Sequence, residues 1–120
     1  MNYLEIALKI IVALSIINVW LLRFGKSTPF RGGNAKNMKE EFAEYGLPAW
    51  FMGIIGTIKV LLSIALLISI WIPEAENIAA LGLAILMLGA LGMHLKIGDP
   101  FKKSIPAITF LILSLAIFFI

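Results

Sequence analysis

Four long apolar blocks dominate the chain and decide what it can become. They run from Tyr3 to Leu22, Ala49 to Ile72, Asn77 to Leu95 and Ser104 to Ile120. Each is about long enough to cross a hydrocarbon layer of roughly 30 Å at about 1.5 Å per residue. One interior cannot bury four such blocks in a chain of only 120 residues. Hydrophobic residues make up 61% of the sequence and charged residues 14%, against about 45–50% and 25% in a soluble domain. Lipid must therefore take the surplus. Backbone groups in lipid have to be satisfied within the segment, and no block shows the alternating polarity of a barrel strand. The expected fold is all-α: a four-helix transmembrane bundle, one domain over residues 1–120. The opening residues lack a basic n-region, so the first block reads as a retained span rather than a removable signal.

Prolines punctuate the blocks. Pro48 precedes the second, Pro73 follows it, Pro100 lies in the last connection, and Pro106 is expected in the first turn of the fourth helix. Short links at 73–76 and 96–103 make helices two, three and four an antiparallel series. The first connection is longer. Its start, Gly25–Gly33, reads as loop, including the turn-forming Thr28-Pro29-Phe30-Arg31-Gly32-Gly33-Asn34. Its second half, 37–45, reads as a short amphipathic interfacial helix. There Asn37 caps, Glu40 completes a capping box and Gly46 terminates. Met38, Phe42 and Tyr45 share one face, turned toward lipid or the bundle.

Basic residues gather in loops 23–48 and 96–103, and the opposite side has none outside the blocks. The positive-inside rule makes those two loops cytoplasmic, with a bacterial inner membrane as the expected location. Arg23, Arg31, Lys102 and Lys103 are then candidate contacts for lipid headgroups or a partner protein. Topology alone accounts for these charges, and no nucleic-acid partner is expected.

Lys59 lies near mid-depth of the second block, where an ionisable group is a functional candidate by default; the alternative is a lysine snorkelling to the headgroups. Asn18 and His94 fall within a few turns of it in depth. With Glu41, a counter-ion for Lys59, Arg23 or Arg31, they form a candidate polar pocket. Glu5 and Lys9, one turn apart, are expected to pair and reach the headgroups. Cysteine is absent, which excludes disulfides, thiol catalysis and iron–sulfur ligation. One histidine is too few for a histidine-rich metal site, and no nucleophile–base pairing is visible. The sequence thus offers no catalytic residue, no metal site and no evident cofactor.

Several segments carry a family resemblance. They are Glu44-Tyr45-Gly46-Leu47-Pro48, Ile55-Gly56-Thr57-Ile58-Lys59, and Met87-Leu88-Gly89-Ala90 followed by His94-Leu95-Lys96-Ile97-Gly98-Asp99-Pro100. In this order, on a four-span layout, the chain resembles the DoxX-like membrane proteins over most of its length. Its Gly-Asp-Pro turn with Lys102-Lys103 is similar to that of animal relatives, which include a chaperone of nicotinic-receptor assembly. Lys59 stands where the resemblance leads one to expect glutamate, so no role is carried over for that position. The resemblance implies an accessory membrane protein, most readily a non-catalytic module that binds a partner protein or lipid. A second possibility is a small quinone-associated subunit of a membrane redox complex, with quinone against Lys59, Asn18 and His94. A third is a small transporter or channel, which with four helices requires a homo-oligomer.

Overall fold

The computed structural model describes residues 3–26 and 30–119. Residues 27–29, which carry the Thr28-Pro29 part of the first loop, lie outside them, as does Ile120, the expected end of the fourth span. Five α-helices are described: α1 (Tyr3–Ile17, continued by a π-helical turn at Asn18–Leu22), α2 (Met38–Glu44), α3 (Ala49–Ile68), α4 (Glu76–Lys96) and α5 (Phe101–Phe119). No strand occurs among the described residues. Four segments have the length and composition to cross a membrane: Tyr3–Leu22, Ala49–Ile68, Pro73–Lys96 and Phe101–Phe119. α3 packs between α1 and α4, and α4 runs against α5 along its length. The outward faces stay apolar, with Leu14, Ile54, Leu61, Ile78, Leu88 and Ile112 all exposed. Hydrocarbon is the solvent such a surface needs.

Small side chains let the helices approach. Ala79, Ala80 and Leu83 of α4 are buried in one cluster with Val12, Ala13, Leu66 and Ile117 of its neighbours. Gly82 sits against Leu62, where an added Cβ would come within 2.9 Å of the Leu62 side chain. Loops 23–47 and 97–100 meet at one end of the bundle, joined by the Gly33 N–H donating to Asp99 at 3.0 Å.

Three local details depart from the sequence expectation. α3 stops at Ile68, four residues early, and its final turn is capped through Ser69. That frees the Ser69 carbonyl to accept from the Lys9 ammonium at 3.4 Å. Lys9, expected at the headgroups, is instead fully buried and lies 3.1 Å from Glu76 at the start of α4. A buried charge needs a partner, and Glu76 supplies it. α5 starts at Phe101, three residues early, so Pro106 lies inside the helix rather than in its first turn. It leaves the Lys102 carbonyl without its usual helical donor.

Candidate functional site

The end of the bundle beneath α2 holds a cavity of about 730 Å³. Local signals in the sequence build its rim. Asn37 caps α2 by accepting from the Glu40 N–H at 2.8 Å, while its amide donates to the Glu40 carboxylate at 2.7 Å. At the other end, Leu47 N–H donates to Phe42 O and Gly46 N–H to Ala43 O, with Gly46 at φ +78°. This double closure, which favours glycine at the left-handed position, fixes where α2 ends and how Tyr45 points. Met38, Phe42 and Tyr45 are all buried, so the shared face of α2 turns to the bundle and not to lipid. Phe42 meets Trp20 edge-on at 6.0 Å between ring centroids.

The same closure recurs after α4 and brings two chemical groups together. Asp99 N–H donates to His94 O, Gly98 N–H donates to Leu95 O, and Gly98 takes φ +71°. The chain thereby folds back so that the Asp99 carboxylate lies 2.7 Å from His94 Nδ1. A nitrogen facing a carboxylate at that distance carries a proton. The other ring nitrogen, Nε2, lies 3.4 Å from the Tyr45 hydroxyl oxygen, which it can bond only as a donor because the hydroxyl proton goes to Glu41. Tyr45 donates to Glu41 Oε1 at 2.7 Å, and Arg31 donates to Glu41 Oε2 at 2.9 Å. Lys103 reaches Asp99 at 4.0 Å and donates to the Gly33 carbonyl. One polar chain therefore runs Arg31–Glu41–Tyr45–His94–Asp99–Lys103 and ties the first loop, α2, the end of α4 and the start of α5 across the cavity rim.

This environment shifts two groups. Burial, followed by the charge and hydrogen bond of Glu41 and the charge of Asp99, pushes the Tyr45 hydroxyl above the usual phenol range. Burial works to raise Asp99 as well. The hydrogen bonds from His94 and the Gly33 N–H, with the charges of His94 and Lys103, outweigh it and hold the carboxyl below its usual range.

The sequence-predicted pocket residues Lys59, Asn18, His94 and Glu41 all line this cavity, together with Arg23, Arg31 and Lys103. Lys102 does not; it is exposed on the outer surface. Arg31, a candidate for headgroup or partner contacts and for pairing with Glu41, is 4% exposed and pairs with Glu41. Besides binding Glu41, it donates to the carbonyls of Arg23 at 2.6 Å and Lys26 at 3.0 Å. It organises the loop rather than reaching for lipid. Asn18 gains its place from the π-helical turn, closed by Arg23 N–H donating to Asn18 O at 2.9 Å. The widened turn also carries Trp20 inward, a use typical of such bulges at functional sites. Gly56 makes room for that ring, since a Cβ there would stand 2.5 Å from it.

Lys59, half-buried, differs from the buried cations Lys9 and Arg31. Among the described residues its ammonium forms no hydrogen bond and no ion pair, and its close partner is the Trp20 ring, 5.4 Å to the centroid. A cation at mid-depth costs about 3 kcal/mol on insertion scales, and an aromatic face returns about 0.5–2. The wall between Lys59 and the rim is apolar, from Val19, Phe51, Ile55, Met87, Ala90 and Phe110. Ile85 and Gly89 line the cavity and are also exposed on the outside of the bundle.

Tyr45 and Asp99 were not singled out from sequence as site residues. The signal was present in His94 followed by Gly98-Asp99, a helix terminator that returns an acid onto the preceding turn. No group of three or more His, Asp or Glu able to hold a metal ion occurs among the described residues.

The profile of the DoxX-like family matches residues 8–117, nearly the whole chain. The protein belongs to the DoxX-like family. In this DoxX-like protein the matched residues include α2, the cavity lining and most of each of the four spans. No curated protein and no solved structure matches the chain. With its family and four apolar helices, the protein is an integral membrane protein.

Proposed function

We propose that this DoxX-like protein is a non-catalytic accessory module whose cavity holds a lipid-like amphiphile. The cavity itself carries the reading. Its volume, about 730 Å³, falls within the roughly 300–1,000 Å³ of small-molecule sites. Its wall is apolar, its rim is hydrogen-bonding, and two lining residues, Ile85 and Gly89, also reach the outer surface of the bundle. Such a gradient suits a molecule with a hydrocarbon chain and a polar head. The rim groups are spent on each other, in the Arg31–Glu41 and His94–Asp99 pairs, which suits holding a ligand rather than transforming it. By the positive-inside rule the rim faces the cytoplasm.

Native mass spectrometry from mild detergent tests this. The protein is expected to retain one lipid-like molecule per chain. Gly89→Trp is expected to lose it, because Gly89 has open space where its side chain would begin. A chain that flies ligand-free in both forms would overturn the reading.

A second reading, a quinone-associated subunit of a redox complex, has one observation in its favour. Lys59 lines the cavity with an ammonium that has no hydrogen-bond partner among the described residues, and such a donor can bond a quinone carbonyl. A quinone mass and ultraviolet spectrum in the released ligand would select it.

A further inference from the structure

The amphiphile reading leaves the head undefined, and charge pairing around the cavity defines it. Glu41 is taken by Arg31, and Asp99 by His94 and Lys103. Two cations of the wall remain, Arg23 and Lys59. Neither side chain has a carboxylate within ion-pair distance among the described residues. Glu41 acts on Lys59 electrostatically, but its oxygens are already bonded to Arg31 and Tyr45. Arg23 lies just past Trp20 on the rim side, and Lys59 sits over the Trp20 ring at the inner end. The cavity thus has a positive rim, an apolar middle and an unpaired cation at its floor.

Resting on the proposed function, we infer that the cavity selects an oxyanion borne on a hydrocarbon chain, and that Lys59 is the counter-ion that receives it. The recognised chemistry is a carboxylate or a phosphate monoester. Arg23 draws the anion to the rim, and the chain runs toward the bilayer beside Ile85 and Gly89, which line the cavity and are exposed on the bundle's outside. By helix rise, Ile85 of α4 stands near the level of Lys59 of α3, so head and chain separate at the same depth. Elsewhere in the fold a buried lysine is paired within the protein, as Lys9 is with Glu76. Lys59 is matched by a partner that comes and goes.

The test reads Trp20, which belongs to the cavity wall. The other tryptophans, Trp50 and Trp71, are exposed and are changed to Phe so that Trp20 reports alone. The full chain in phosphatidylcholine nanodiscs is titrated with dibromostearate, its methyl ester, and a brominated monoacyl phosphatidate. Saturable quenching by an acid, about tenfold or more tighter than by the ester, is expected. Lys59→Met is expected to bring the acid down to the level of the ester, and Lys59→Arg to keep the preference. Whether stearate or phosphatidate binds more tightly assigns the headgroup to a fatty acid or a phospholipid. Equal, saturable quenching by acid and ester would overturn the anion while leaving the amphiphile cavity standing. So would a preference for acid that survives Lys59→Met, with respect to the role of Lys59. No saturable quenching by any probe would sink the cavity reading as well.

Discussion

Glu41→Gln tests whether the polar chain over the cavity holds the fold together. The Glu41 side chain is 13% exposed and accepts from Arg31 at 2.9 Å and from Tyr45 at 2.7 Å. Removing one member of a buried ion pair costs about 3–5 kcal/mol when the other charge is left alone. Arg31 is not left alone, because it still donates to the carbonyls of Arg23 and Lys26. The glutamine oxygen can also accept one of the two lost bonds. The remainder is one hydrogen bond to a charged group, so a loss of about 2 kcal/mol is expected. Glu44, three residues on and exposed, is the control, and Glu44→Gln should stay within about 0.5 kcal/mol. Unfolding of both variants in one detergent, followed by circular dichroism, measures the difference. Limited proteolysis of the 23–47 loop gives a second readout, with faster cleavage expected for Glu41→Gln alone. Equal destabilisation by the two substitutions would refute the reasoning.

Three further outcomes are expected. Gly56→Ala puts a methyl group 2.5 Å from the Trp20 ring. Overpacking of that kind should cost about 1–3 kcal/mol and change Trp20 fluorescence, whereas Gly53→Ala, with open space around it, should do neither. Asp99 titrates lower in the folded protein than in the unfolded chain, so its contribution is full above the ordinary carboxylate value of about 3.9 and is lost as pH falls through the folded value. The stability of Asp99→Asn should therefore lie below that of the parent at neutral pH and converge with it in acid. Tyr45 is shifted the other way, so its contribution is full below about pH 10 and is lost as pH rises and the unfolded chain ionises first. Tyr45→Phe should show a flatter alkaline limb in the same stability profile.

The spans were legible because their signal is additive: about twenty apolar residues in a row allow only one spanning structure. The α2 helix was legible through discrete chemistry, since Asn37, Glu40 and Gly46 each act on backbone within four residues. The site was legible in part. Depth can be counted from helix rise, which brings Asn18 and His94 within a few turns of Lys59. Pairing could not be counted that way. Arg31 meets Glu41 across ten positions of loop and helix, and no periodicity relates them. The same limit explains Lys9. Its place one turn after Glu5 suggests a local pair, but its contact with Glu76 depends on how α1 packs beside the turn between α3 and α4. The π-helical turn carried no compositional mark at all.

Two lysines of the spanning helices, Lys9 and Lys59, are treated in opposite ways, and that contrast separates architecture from function. Lys9 has a carboxylate at 3.1 Å and a helix-terminal carbonyl at 3.4 Å. Its burial cost is met within the protein, and the contact joins three segments of the fold. Lys59 is held by one aromatic face beside an open cavity. Packing alone would favour a methionine there, since Met fills irregular apolar space without a charge to desolvate. Lys59→Met should therefore keep or raise thermal stability in detergent, whereas Lys9→Met should lower it by about 3 kcal/mol, leaving Glu76 without its cation. If Lys59→Met destabilised the ligand-free protein as much as Lys9→Met, Lys59 would be part of the scaffold, and its unpaired state would need another explanation.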